Sequence, residues 1–378
     1  PKNHRRIKHP PKGRAEKPLL EEEERPVADR MDDIALPSET LSLVGHEAAL
    51  NRLQMAHRSN RLHHAWLLSG PRGIGKATLA FQFARQLLAY PNGSALPPVG
   101  QQIAVPASVS GPIMRGAHPE LLHLTRPWDE KAKRFKTKLS VDEVRKTQAF
   151  YGMTAGAGGW RITIVDAADD MNAEAANALL KVLEEPPKRS LFLVLSHASG
   201  GLLPTIRSRC QMVPLQPLSE AEVGQVLQRM DLQIDPALLS AACERSEGSV
   251  RRAIQLVRSD ALKEIAVFEN LLVSRSTGVP RDWMQVHGLA DRLVRKGAEE
   301  GYELFFDLAL DALAKDVRNH VLQSGVEGAK RDPALLAGQA EVWEKTVESK
   351  RVADAYNLDK KQEILSLFSA LFDLNSRA

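Results

Sequence analysis

The chain has 378 residues, of which 43% are hydrophobic and 26% are charged. This balance excludes disorder throughout and predicts two or three domains. The formal charge of +4 is unevenly placed, because residues 1–17 hold seven basic residues against one acidic residue and the remainder sums to −2. Aromatic residues make up only 5%, which argues against a platform for stacking single-stranded bases. No apolar run approaches the roughly 20 residues that cross a bilayer, and no signal peptide is recognised, so we expect a cytoplasmic protein without a membrane partner.

The first 37 residues differ in composition from the rest of the chain. A basic block is followed by the acidic run Glu21–Glu24, prolines recur, and no helical or strand period is present. This composition predicts a disordered tail over 1–37. A solvated extension is favoured over a DNA-binding arm, because charge runs are usually solvated.

From residue 38 onward, short apolar runs alternate with helical patterns, which predicts an α/β domain with a mostly parallel sheet covered on both faces. Five strands are predicted at Ala65–Leu68, Leu121–Thr125, Arg161–Asp166, Leu191–Ser196 and Gln211–Leu215. Helices are predicted at 75–90, 140–150 and 173–183. We expect an irregular insertion over 91–116, where proline and glycine are frequent, and a charged loop over 128–138.

The strands end before Pro217, and the remaining pattern is helical. Ser219 and Glu222 have the spacing of a capping box, which predicts the start of a helix. We therefore predict an α/β domain over 38–217, a small helical lid domain over 218–262 and an all-helical C-terminal domain over 263–378.

Residues 70–78 read GPRGIGKAT and have the G-x-x-x-x-G-K pattern of a phosphate-binding loop, placed between a predicted strand and a predicted helix. Its glycines (Gly70, Gly73 and Gly75) let backbone N–H groups face an anion, and Lys76 reaches the terminal phosphates. The residue after the lysine normally supplies a hydroxyl to Mg²⁺, but here it is Ala77, and Thr78 lies about 100° further round the helix. The loop is either a nucleotide pocket with defective metal binding or, as we favour, a relic.

Asp166 ends a predicted strand in the manner of a Walker-B acid, which would sit beside Mg²⁺. The glutamate that polarises water in a working ATPase is replaced by Ala167, and the offset of Asp169 and Asp170 indicates the start of a helix rather than a base. Asp166 fits a strand-end cap equally well. Because the residues that would bind the metal and orient the attacking water are both replaced, we do not expect this chain to hydrolyse ATP by itself.

Three segments together carry a family resemblance: LHHAWLLSG at 62–70, NALLKVLEEPP at 177–187, and Ser-Arg-Cys at 208–210. Over about residues 40–260 the chain resembles the bacterial clamp-loader AAA+ proteins. Within that family, the combination of degenerate Walker residues and an intact Ser-Arg-Cys resembles the pattern of the delta-prime group of DNA polymerase III. The gamma/tau motor group keeps both Walker elements.

The resemblance implies an AAA+ P-loop domain with a five-stranded mostly parallel sheet, a helical lid and an all-helical C-terminal collar. It implies a hetero-pentamer with gamma/tau and delta subunits, which meets the sliding clamp and primer-template DNA through the complex. Arg209 would act in trans as an arginine finger on a neighbour's ATP. Ser196 matches the sensor-1 position, with a strand-end hydrogen bond as the alternative. Arg251 matches sensor 2, with a helix-surface or interdomain contact as the alternative.

Many members of this family carry a four-cysteine zinc module, but the corresponding insertion here, 91–118, contains no cysteine and only His118 as a candidate ligand. Cys210 and Cys243 are too few for a structural zinc site or a disulfide framework. We expect packing roles for both thiols, no zinc and no required cofactor. Vestigial binding of ATP or ADP at the loop stays open.

Two other functions are compatible with the sequence. One is an active gamma/tau-like clamp-loader ATPase in which Thr78 and a displaced acid restore catalysis. The other is a DNA-binding AAA+ remodeller that uses the basic tail. The leading interpretation is a non-hydrolysing stator subunit of the clamp loader that donates Arg209.

Overall fold

The computed structural model describes residues 26–97, 103–152, 159–230, 232–276, 282–323, 333–356 and 358–375. The basic block of the predicted tail therefore lies outside the described residues. In the part of the chain that is described, no helix is both long and apolar enough to cross a membrane.

A five-stranded sheet forms the centre of the first domain. Its strands are β1 (Ala65–Ser69), β2 (Leu121–Leu124), β5 (Arg161–Val165), β6 (Ser190–Ser196) and β7 (Gln211–Pro214). They pair in the order β2-β5-β6-β1-β7, and every pair is parallel. Strands β1, β5 and β6 are buried along their whole length, which explains their continuous apolar sequences.

Helices cover both faces of this sheet. They are α1 (Glu47–Arg58), α2 (Lys76–Ala89), α3 (Ala107–Met114), α4 (Val141–Gly152), α5 (Ala173–Glu184) and α6 (Pro204–Arg207). Apolar residues of α1 and α2 bury one face of the sheet, and those of α4 and α5 bury the other. The crossover helices keep the strands parallel and bring all their carboxyl ends to one edge.

Among the described residues after β7, all the regular secondary structure is helical. It contains α7 (Glu220–Arg229), α8 (Pro236–Arg245), α9 (Val250–Arg258), α10 (Ala261–Ser276), α11 (Trp283–Leu293), α12 (Glu299–Gln323), α13 (Pro333–Tyr356) and α14 (Lys360–Asn375). Helices α7 to α9 enclose a small apolar cluster of their own, and α10 to α14 contribute to a larger one. The predicted capping box is present, with Ser219 accepting from the backbone of Glu222. The predicted fold class is confirmed, whereas the predicted domain boundaries stay predictions.

Three segments differ from the sequence-based expectations. Residues 26–37, predicted as part of a disordered tail, form turns, because Met31 and Ile34 pack against the lid cluster. The insertion contains α3, although Pro112 lies inside it. The predicted charged loop contains a hairpin of β3 (Trp128–Asp129) and β4 (Arg134–Phe135), whose aromatic rings stand 5.0 Å apart.

The lid packs directly on the phosphate-binding loop at Gly73. This residue has φ +80°, and a Cβ built on it would lie 2.3 Å from Oγ of Ser249 and 2.6 Å from Cβ of Arg251. The backbone N–H of Arg251 donates to the carbonyl of Gly73 at 3.4 Å. Any side chain at position 73 would therefore be strained and would push the lid away from the loop.

We expect Gly73→Ala to lower the free energy of unfolding by about 1–3 kcal/mol, because it combines a left-handed backbone with a steric clash. Urea unfolding followed by circular dichroism measures this change. Gly301→Ala is the matched control, since Gly301 lies in α12 and no atom beyond its chain neighbours and its own helix backbone is within 4 Å of the position that a Cβ would take. That variant should gain about 0.5–1 kcal/mol. Equal stability of the two alanine variants would contradict the lid contact at Gly73.

Candidate functional site

The predicted site residues meet at the carboxyl edge of the sheet. The phosphate-binding loop follows β1, Asp166 follows β5, and Ser196 ends β6. Since β6 pairs with both β1 and β5, the three positions are neighbours. In open α/β sheets this edge is where ligands bind.

Lys76 is turned back onto its own loop. Its Nζ donates to the carbonyl oxygens of Gly70 at 2.7 Å and Pro71 at 2.6 Å, and the residue is only 5% exposed. Burial lowers the pKa of the ammonium group to about 8, and the charge of Arg72 adds to this, although Asp166 and Asp169 oppose it. The amine of Lys76 is therefore held by backbone oxygens, and it loses its proton around pH 8 rather than near its ordinary value.

The first turn of α2 offers no metal ligand at the expected position. Ala77 packs against the apolar core of the sheet, and Thr78 is half-buried one residue further along the helix. Gly75, with φ +103°, precedes the helix and approaches the ring of His46. Nε2 of His46 lies 2.7 Å from the carbonyl oxygen of Ile74 and supports the loop from outside.

The acidic residues beside the loop are engaged with protein groups. Asp166 lies 3.6 Å from Nε2 of His123, and the next residue, Ala167, is buried. Asp169 accepts from Oγ of Ser196 at 2.9 Å and from the backbone N–H of His197 at 2.5 Å. Ser196 thus makes a hydrogen bond at the end of its strand, and its match to the sensor-1 position stays a prediction.

His197 extends this polar edge. Burial lowers the pKa of its imidazole, and the nearby cation Lys76 lowers it further, while Asp169 acts in the opposite direction. The ring is therefore neutral at pH 7. A neutral ring beside the loop adds no positive charge for holding a phosphate.

The structure brings three guanidinium groups together next to the loop, around a residue that the sequence analysis did not single out. Oδ1 of Asp29 lies 2.5 Å from Nη2 of Arg72, 3.0 Å from Nη2 of Arg126 and 3.9 Å from Nη2 of Arg251. Arg251 also donates from Nη1 to the backbone carbonyl of Asp29 at 2.8 Å. We call Arg72, Arg126 and Arg251 the arginine cluster.

The cluster joins parts of the chain that are distant in sequence. Arg126 follows β2 and also pairs with Asp170 at 3.4 Å, whereas Arg251 belongs to the lid helix α9. Arg72 was visible as a cation inside the loop, but nothing in the sequence indicated that Asp29, 222 residues from Arg251, would lie among these side chains.

The residue after Arg251 connects the lid to the C-terminal helices. The guanidinium of Arg252 pairs with Asp311 on α12 and with Glu247 at 3.2 Å. An open cavity of about 600 Å³ lies here, lined by the phosphate-binding loop, α9 and α12.

Arg209 does not line this cavity. It lies in the turn between α6 and β7, and its side chain is 34% exposed. Nη2 donates to Glu184 at 2.7 Å, and Nη1 donates to the carbonyl of Thr205 at 3.0 Å. Glu184 belongs to the segment that carries the family resemblance, but the sequence analysis assigned it no role.

The two cysteines are free and lie in separate apolar clusters. Burial raises the pKa of Cys210 to about 12, so its thiol stays protonated at neutral pH. Among the described residues, no group of three or more His, Cys, Asp or Glu side chains is arranged to hold a metal ion.

Comparison with known proteins relates the α/β domain to a replication family. A family model described as DNA polymerase III, delta subunit, matches residues 45–219. The chain is 40% identical to DNA polymerase III subunit delta' of Pseudomonas aeruginosa over 154 residues, covering 40% of this chain and 43% of that protein. It is 30% identical to DNA polymerase III subunit delta' of Escherichia coli over 265 residues, covering 70% of this chain and 74% of that protein.

A relative that carries a different subunit name is also similar. The chain is 30% identical to DNA polymerase III subunit tau/gamma of Haemophilus influenzae over 251 residues, covering 65% of this chain and 34% of that protein. The matches thus span less than half the length of the Pseudomonas aeruginosa and Haemophilus influenzae relatives.

We expect Lys76 to titrate near pH 8, because its ammonium group is buried. A ¹³C NMR titration of the lysine side chains measures the midpoint, and Lys76→Met identifies the signal by its absence. This pKa lies below the ordinary 10.5, so the neutral amine contributes stability that increases as the pH rises from about 8 toward 10.5. The Lys76→Met variant should lack that increase. A midpoint near 10.5 would show that the amine is hydrated.

Proposed function

Since the chain belongs to the DNA polymerase III delta-prime family, we propose that it is a non-hydrolysing stator subunit of the clamp loader of the replicative polymerase. The observation that carries the proposal is the state of its own pocket. The positions that would hold the metal and orient water are Ala77 and Ala167, and Lys76 is bound to loop carbonyls. A site without these groups does not assemble the transition state of phosphoryl transfer.

In this proposal, Arg209 contributes to ATP hydrolysis by reaching into the ATP site of a neighbouring motor subunit. Its guanidinium is partly exposed and is already held by Glu184, an interaction at 2.7 Å between two accessible side chains. Such exposed pairs contribute only about 0–1 kcal/mol, so a phosphate can replace the carboxylate at small cost. Glu184 would then be a positioning residue that keeps Arg209 extended before assembly.

The proposed assembly is a hetero-pentamer in the cytoplasm with gamma/tau and delta subunits, meeting the sliding clamp and primer-template DNA through the complex. The C-terminal helices would form the collar. In this role the chain requires no cofactor of its own, and we propose neither zinc nor a catalytic nucleotide. Gly70, Gly73, Gly75, Lys76, Thr78 and Asp166 would remain as a vestigial ATP or ADP pocket.

An active gamma/tau-like ATPase is the second candidate, favoured by the similarity to the Haemophilus influenzae protein. It would need Thr78 to reach the metal and another acid to replace Ala167. Brisk ATP turnover by the isolated chain would support this candidate and exclude the stator.

We expect Arg209→Ala to remove one fast ATP site from the reconstituted clamp loader. Loss of an arginine finger slows hydrolysis at the affected site by on the order of 10³-fold or more. The measurement is pre-steady-state ATP hydrolysis by the complex in the presence of clamp and primer-template DNA. The amplitude of the fast phase should fall by one site per complex, while gel filtration still shows full assembly.

Arg145→Ala is the matched control, because Arg145 is an exposed arginine on α4 that pairs along its own helix with Asp142. It should leave the fast phase unchanged. Unaltered hydrolysis by the Arg209→Ala complex would overturn the finger assignment.

A further inference from the structure

The segment that follows β2 forms a charged hairpin to which the proposed function gives no role. Residues 126–138, which we call the basic hairpin, contain β3, a turn and β4. They carry six basic and two acidic side chains, a balance of +4, whereas the rest of the chain after residue 17 sums to −6. Positive charge is therefore concentrated in this hairpin on a body that is otherwise acidic.

The basic hairpin has a fixed base. Leu124, at the end of β2, and Leu139, before α4, are both fully buried in an apolar cluster of the sheet. Between them, Trp128 lies opposite Phe135 on the two strands, and their rings meet edge to face. Because both ends are held in the core and the rings connect the strands, the charged residues are presented by a folded ribbon.

The two acidic side chains of the hairpin already have partners. Oδ1 of Asp129 accepts hydrogen bonds from the backbone N–H groups of Lys131 and Ala132, at 3.0 Å in each case. The carboxylate of Glu130 pairs with Lys133 at 3.1 Å. Most of the basic side chains are therefore not neutralised by contacts within the hairpin.

Four exposed cations of the hairpin have no acidic partner within ion-pair distance in the part of the chain that the structure describes. They are Lys131, Arg134, Lys136 and Lys138. Asp129 acts on Arg134 and Lys136 only at longer range. Four unpaired charges within eight residues repel one another, and an external polyanion would relieve that repulsion.

The chemistry of this surface fits the backbone of duplex DNA better than a protein partner. Phe135 is the one large apolar residue between 130 and 138, and it is engaged with Trp128, so the hairpin offers no apolar centre for a protein interface. The same ring pair is not offered to unpaired bases for stacking. Duplex DNA carries one charge per about 1.7 Å of its axis, a density that four closely spaced cations can match.

We propose that the basic hairpin binds the phosphate backbone of duplex DNA without regard to sequence. The inference rests on the proposed clamp-loader role, in which primer-template DNA is a ligand of the assembled complex, and it gives this chain a DNA contact of its own. Neither Arg209 nor the phosphate-binding loop takes part. Failure of the inference would leave the stator role and its ATPase test untouched.

The test measures binding of the full-length chain to a fluorescein-labelled primer-template duplex, by fluorescence anisotropy at several salt concentrations. The triple variant Lys131→Gln, Arg134→Gln, Lys136→Gln removes three phosphate contacts and should bind at least about tenfold more weakly at low salt. The slope of log K against log salt concentration should fall in magnitude by about 2–3. Unchanged affinity and slope would overturn the proposal.

The matched control removes the same charge from the helical part of the chain. Arg258, Arg295 and Lys296 are exposed and have no ion-pair partner among the described residues. Their replacement by Gln should leave affinity and slope as in the unmodified chain, and the basic block at 1–17 is present in every variant. An equal loss in this control would show that net charge alone decides binding and would contradict the proposal.

A further variant separates the folded hairpin from a loose run of charges. Phe135→Ala keeps every charge but removes the ring pair, so the cations lose their common support. Binding should weaken by about threefold or more, because ordering the segment on DNA then costs entropy. Thermal unfolding checks that the rest of the chain is folded. Affinity equal to that of the unmodified chain would contradict a role for the folded hairpin.

Competition identifies the class of the partner. Poly-glutamate at the same charge concentration should displace the labelled DNA at least about tenfold less effectively than unlabelled duplex, since its charges are less dense. Equal displacement would identify an acidic polypeptide as the ligand and overturn the proposal. An unlabelled duplex of different sequence should compete as well as the original one, and a preference for one sequence would contradict a phosphate contact.

Discussion

The pocket is organised by the requirement that buried positive charge be matched by oxygen atoms. Lys76 is buried at the carboxyl edge of the sheet, where an isolated cation would lose hydration without compensation, and the partly exposed arginine cluster lies beside it. The chain meets this requirement with the carbonyls of Gly70 and Pro71 and with the carboxylate of Asp29. The resulting contacts connect the loop to Asp29 and, through Arg251, to the lid.

The fold was predictable where the signal is local. Strands such as β6 are continuous apolar runs because both faces are covered, and the loop at 70–78 is indicated by its glycine spacing and its lysine. Helix α3 was missed because its sequence contains glycine and proline, which disfavour helices in general. The hairpin at 128–135 depends on the cross-strand contact of Trp128 and Phe135, which no local pattern reveals.

The site was only partly predictable for a related reason. Each predicted residue was recognised from its neighbours in sequence, which works for a loop or a strand end. Asp29 and Arg126 acquire their positions from contacts across the fold, and Glu184 meets Arg209 over 25 residues. Side chains whose partners are distant in sequence carry no spacing signature, so electrostatic clusters of this kind become visible only in three dimensions.

Two consecutive residues of the lid, Arg251 and Arg252, contact different parts of the molecule. Arg251 bonds to the loop and to the backbone carbonyl of Asp29, while Arg252 pairs with Asp311 on α12. Both residues belong to the first turn of α9, so this one turn contacts the sheet edge and the C-terminal helices at the same time. A tilt of the lid would therefore strain the contact with the loop and the contact with α12 together.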